Sequence, residues 1–104
     1  MQLKELPETI TYKLSESFTI DYIYRSVIKN GVTIRLEDVE WRFLICFLRH
    51  RGEVIPNKTF WLEAFGQDFC PMTNTVQVYV CKLRRKLGKE LFKLIRGVGY
   101  RMVI

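Results

Sequence analysis

Asn74, Gln77, Lys82 and Arg85 fall within a dozen residues of one another. Their side chains are amides and cations, groups that hydrogen-bond to base edges or to anions. Their spacing gives them one face. Between Asn74 and Leu87, Val76, Val80, Leu83 and Leu87 recur at i, i+4, i+7 and i+11, an apolar stripe at the helical period. At roughly 100° per residue, Asn74, Val78, Cys81 and Arg85 fall opposite that stripe. Lys82 and Gln77 flank them, and Arg84 and Lys86 lie at the borders. Asn74 or Thr73 can cap the start, and Gly88 marks the end. Such a helix is glued to a core on one side and suited to enter something anionic on the other.

A hairpin must stand next to it. Leu91, Phe92, Leu94 and Ile95 are strand formers, as are Tyr100, Met102, Val103 and Ile104. Between them Gly97-Val98-Gly99 permits the positive φ of a tight turn. Arg96 and Arg101 bracket that turn. A helix followed by a cationic β-hairpin is the layout of a winged helix, in which the helix reads one groove and the wing touches the next.

The ordered run Thr75-Val76-Gln77-Val78-Tyr79-Val80-x-Lys82-Leu83-Arg84-Arg85-Lys86-Leu87, followed by Ile95-Arg96-Gly97-x-Gly99-Tyr100, closely resembles the OmpR/PhoB-type winged-helix DNA-binding domain. With weaker matches upstream, the resemblance covers most of the chain. It implies sequence-specific binding to double-stranded DNA in bacterial transcription regulation. On that basis Asn74, Gln77, Val78, Cys81, Lys82 and Arg85 are expected to read bases in the major groove. Lys58, Thr75, Arg84, Lys86 and Lys89 are expected to hold phosphates. Arg96, with Arg101, is expected in the minor groove. The loop carrying Gln67, Asp68, Phe69 and Met72 can touch RNA polymerase in this family, although for Phe69 and Met72 tucking under the domain is the preferred reading. Tandem occupancy of direct repeats is implied too, with at most weak or DNA-induced homodimerisation, since no long heptad pattern is present. Three departures from the family pattern stand out. Glu37 or Asp38 replaces the usual Thr cap of the first helix, Pro56 replaces a Ser cap, and Cys81 replaces a frequent Arg.

Charge distribution agrees. Net charge is +6, but before position 74 nine Lys/Arg face ten Asp/Glu, whereas from 74 onward eight Lys/Arg face Glu90 alone. The basic charge is thus confined to the helix and hairpin, as a phosphate-facing footprint would be. A merely solvated basic face is the bland alternative.

A chain of 104 residues fits one domain with a single modest core. The longest apolar run, Phe43 to Leu48, is far short of a membrane helix, and Met1 to Thr11 lacks a secretory signal. A cytoplasmic protein is expected; an inner-membrane tether outside this stretch, as in ToxR-like regulators, stays open. Cys46, Cys70 and Cys81 form no C-x-x-C pair and lack nearby His ligands, which argues against a zinc site or disulfides. Cys46 reads as core. Cys81, exposed beside Lys82 and Arg85, reads as a small contact residue, with a redox-sensing thiol as the sharper alternative. His50 reads as a surface residue near a helix C-terminus. No cofactor, metal or catalytic group is expected: there is a single histidine, no phosphate-binding glycine loop, and no nucleophile paired with a base.

The expected class is α+β, a winged helix-turn-helix with an N-terminal antiparallel sheet (1–36), a three-helix core (37–88) and a wing hairpin (91–104). Strands are expected at Ile10–Leu14, Phe18–Tyr22, Tyr24–Ile28 and Val32–Leu36, with Asn30-Gly31 as a type I′ turn. Tyr12, Tyr22 and Tyr24 could stack on bases, although packing on the helices is the preferred reading. Helices are expected at Glu37–His50, with Trp41, Leu44, Ile45 and Leu48 as one stripe widened by Phe43 and Phe47, and from Pro56-Asn57 to Phe65. The alternative function is a winged module that binds RNA or a protein partner.

Overall fold

The computed structural model describes residues 11–66 and 74–103. Gln67, Asp68, Phe69 and Met72, assigned above to a polymerase-contact loop, lie outside the described residues. So do Cys70, Thr73 and Ile104. The chain divides into two compact units, one ending at Glu37 and the other beginning at Asp38.

The first unit is a four-stranded antiparallel sheet in the order β1 (Thr11–Lys13), β2 (Phe18–Asp21), β3 (Ser26–Lys29) and β4 (Val32–Arg35). Strand alternation sends Ile20 and its cross-strand partner Val27 to the buried face. Asn30 and Gly31, at φ 51° and 83°, make the expected tight turn between Lys29 and Val32. The third strand begins later than the sequence suggests. One carboxylate oxygen of Asp21 accepts the N–H groups of Ile23 (2.9 Å) and Tyr24 (3.1 Å), and Arg25 takes a left-handed φ of 51°. That local turn removes Tyr24 and Arg25 from the strand. Tyr12, Tyr22 and Tyr24 are exposed, Tyr24 at 68%.

The second unit contains α1 (Asp38–Arg49), β5 (Val54–Pro56), α2 (Asn57–Phe65), α3 (Thr75–Leu87), a short 3-10 turn (Lys89–Leu91), β6 (Phe92–Ile95) and β7 (Gly99–Met102). Its antiparallel sheet runs β5-β7-β6. An aromatic cluster joins the elements. Phe60 of α2 stacks on Phe43 at 5.1 Å and meets Phe47 at 5.0 Å, both from α1. Phe47 meets Phe92 of β6 at 4.6 Å, and Phe43 meets Tyr79 of α3 at 5.5 Å. The buried face of α1 is Glu40, Trp41, Phe43, Leu44, Cys46 and Phe47, while Ile45 and Leu48 are only half-buried. The expected stripe is therefore rotated towards the aromatics.

Gly66 closes α2 with a left-handed φ of 74°, its N–H reaching Leu62 and Trp61 carbonyls. Pro56 precedes the helix without a side-chain cap, which a residue with preset φ tolerates at this end. The sheet needs Gly99. Where β5 pairs with β7, any Cβ at that position would run into the Ile55 carbonyl. Among the described residues no helix is long and apolar enough to cross a membrane.

Candidate nucleic-acid interface

The helix α3 is rich in β-branched residues (Thr75, Val76, Val78, Val80), which are poor helix formers, and at 13 residues it would be marginal alone. Packing holds it. Val76, Val80, Leu83 and Leu87 are all buried, the stripe that the sequence shows, and each contributes roughly 1.5–3 kcal/mol. With that side committed, the opposite side faces outward. Asn74, Gln77, Val78, Cys81, Lys82 and Arg85 together line a single concavity of about 310 Å³. All six expected base-reading residues are thus brought together. Lys82 is half-buried because its ammonium lies 5.0 Å from the Tyr79 ring centroid, a cation–π contact that restrains it. Asn74 occupies the N-cap position without a side-chain cap bond and lines the concavity, while Thr73, the other expected cap, lies outside the described residues.

The phosphate candidates divide. Arg84 and Lys89 join Cys81, Arg85 and Gly88 around a second concavity of about 620 Å³ at the C-terminal end of α3. Thr75 is half-buried at the first turn of α3, and Lys58 is exposed in the first turn of α2. Lys86 is placed elsewhere: its Nζ lies 2.7 Å from Oε1 of Glu40, a carboxylate buried on α1. The helical wheel puts Lys86 at a border, and the long side chain reaches inward across it.

The wing stands next to this helix. Gln77 lines a third concavity, about 330 Å³, with Asn57 and the hairpin residues Leu94, Ile95, Val98 and Tyr100. Burial pushes the Tyr100 phenol above its ordinary pKa, with the Cys81 charge adding and Arg84 opposing, so β7 is within electrostatic reach of α3. Gly97 turns the hairpin at φ 79°, and Val98 N–H bonds to Ile95 O at 3.0 Å. Arg96 is exposed at this tip. Arg101 is not. It lies inside β7 opposite Lys93 and Val54, because Tyr100 and Met102 take the core side and alternation sends Arg101 to the other face. The expectation that both arginines bracket the turn holds for Arg96 alone.

Sequence reasoning missed Asn57. Its N–H donates to Val98 O at 3.3 Å, tying the head of α2 to the wing, and it lines the groove with Gln77. No local pattern signals this, since the link depends on how β5 pairs with β7. Sequence reasoning also misread His50. Its Nε2 lies 2.6 Å from Glu63 Oε2 on α2, and both belong to a cluster with buried Cys46. Cys46 and His50 are one helical turn apart, a signal that was available in the sequence.

Residues 31–102 match the family model described as the C-terminal domain of transcriptional regulatory proteins. The chain belongs to this family. It is 34% identical over 89 residues to the transcriptional regulatory protein CusR of Escherichia coli K12, covering 82% of this chain and 39% of that protein. It therefore spans about two fifths of the length of that relative. The fold is similar to the DNA-binding domain of CpxR from E. coli, with a TM-score of 0.75 and 26% identity, covering 89% of this chain and 95% of that one. It is also similar to the DNA-binding domain of the response regulator AdeR in complex with an intercistronic region. There the TM-score is 0.73 and identity 26%, with 86% of this chain and 97% of that one covered. In this OmpR/PhoB-type arrangement α2 and α3 form the helix-turn-helix, and the β6–β7 hairpin is the wing.

Proposed function

We propose that this chain binds double-stranded DNA sequence-specifically, as the DNA-reading part of a bacterial transcription regulator. The observation that carries this reading is the outward concavity on α3 shared by Asn74, Gln77, Val78, Cys81, Lys82 and Arg85. Two bidentate amides and two cations on one helix face suit adenine and guanine edges, and Val78 and Cys81 suit thymine methyls. The exposed Arg96 at the wing tip suits a narrow minor groove. Family membership and the AdeR complex support the same reading.

Affinity starts with phosphates, at Lys58, Thr75, Arg84 and Lys89. The protein works in the cytoplasm, performs no catalysis, and occupies direct repeats as a weak or DNA-induced homodimer. Gln67, Asp68, Phe69 and Met72 serve contact with RNA polymerase, and residues 1–104 act together as one domain. Selection from a random duplex pool, with structured RNA as competitor, tests the reading. One enriched motif that RNA fails to displace is expected. No enrichment, or equal displacement by RNA, contradicts it.

A further inference from the structure

Away from the α3 face, Cys46, His50 and Glu63 bring a thiol, an imidazole and a carboxylate together, with one donor atom of each within 4.8 Å of the others. We propose that these three residues bind a zinc-class divalent metal ion that fastens α1 to α2. Cys46 lies in the last turn of α1, His50 follows the end of that helix with its N–H on the Cys46 carbonyl at 3.2 Å, and Glu63 comes from α2. The helices are already fixed in register, by Arg42 Nη1 donating to Ala64 O at 3.0 Å and by the Phe43–Phe60 and Phe47–Phe60 contacts. Thiolate, imidazole and carboxylate are the ligands that zinc takes; magnesium and calcium prefer oxygen alone.

Nε2 of His50 lies 2.6 Å from Oε2 of Glu63, while Nδ1 lies 3.6 Å from Oε1 of the exposed Glu53, an ion-pair distance beyond hydrogen-bond reach. Cys46 is 1% exposed and His50 half-buried, so the ion reaches the buried sulfur from the histidine side. Three protein ligands leave the fourth position to water there. Two features oppose binding. Burial, with the Glu63 charge and hydrogen bond, raises the Cys46 pKa, and Arg49 Nε competes for Glu63 Oε1 at 4.0 Å. The ion must displace the thiol proton to solvent and replace the His50–Glu63 hydrogen bond. The site stands whether or not the chain reads DNA, because none of its residues faces the α3 concavities.

The test uses the full chain with Cys70→Ser and Cys81→Ser, which leaves Cys46 as the sole thiol, titrated with Co²⁺ and then Zn²⁺. A thiolate-to-cobalt absorption saturating at one ion per chain, and bleached by zinc, is expected. Zinc at a hundredfold its Kd should raise the unfolding midpoint by about 10 °C. His50→Gln should abolish the absorption while its circular dichroism matches that of the parent. Absence of the absorption, or its persistence in His50→Gln, overturns the proposal and leaves a hydrogen-bonded cluster only.

Discussion

Nζ of Lys86 lies 2.7 Å from Oε1 of Glu40, and this ion pair ties helix α3 to helix α1. Glu40 is 2% exposed, whereas the Lys86 side chain is about a third exposed. Truncating Lys86 removes a charge-assisted hydrogen bond to a buried carboxylate. Lys86→Ala should therefore cost about 1.5–3 kcal/mol in chemical denaturation, while the salt dependence of DNA binding stays unchanged. A variant of full stability whose salt slope falls would return Lys86 to the phosphates.

Lys89 should behave in the opposite way. It is exposed beside the Arg84 concavity. Lys89→Ala should leave stability within about 0.5 kcal/mol of the parent. The slope of log K against log salt should lose roughly 0.9 if one phosphate contact is removed. Titrations at several salt concentrations measure this directly.

Gln77 lines both the reading concavity and the groove beside the wing. Gln77→Ala should erase discrimination at one base position, worth about 1–3 kcal/mol, and leave the rest of the selected motif intact. A repeat selection that returns the original motif would remove Gln77 from the reading set.

The two arginines near the wing should separate. Arg96→Ala should weaken binding and abolish any preference for flanking A·T pairs, because the exposed tip is the part proposed to reach the minor groove. Arg101→Ala should keep that preference, since the residue lies on the sheet opposite Lys93. Affinity measurements on duplexes with A·T or G·C flanks distinguish them.

Gly99→Ala drives a methyl group into the Ile55 carbonyl where β5 pairs with β7. It should destabilise the chain by roughly 1–3 kcal/mol, the usual cost of overpacking, and loosen the wing with it. Thermal unfolding reads the first effect, and loss of the A·T preference reads the second.

The features legible in the sequence were those written in local periodicity. The buried stripe of α3 follows from one apolar residue per turn, and its outer face follows from the same count. The hairpins are marked by Asn30-Gly31 and Gly97, whose positive φ few other residues accept. Contacts between distant segments were not legible. Nothing near Lys86 points to Glu40, and nothing near Asn57 points to Val98. The start of β3 was misjudged because a single carboxylate, Asp21, organises the turn before it, whereas Tyr24 by itself favours a strand. His50 looked like a surface residue because Glu63 reaches it only through the packing of α2 on α1.

The most direct test is to map amide and side-chain NMR shifts of the chain on its selected duplex. The account predicts the largest changes at Asn74, Gln77, Lys82 and Arg85, with Arg96 following. Perturbation centred on Tyr12 and Tyr24 of the N-terminal sheet, with the α3 face unmoved, would contradict it.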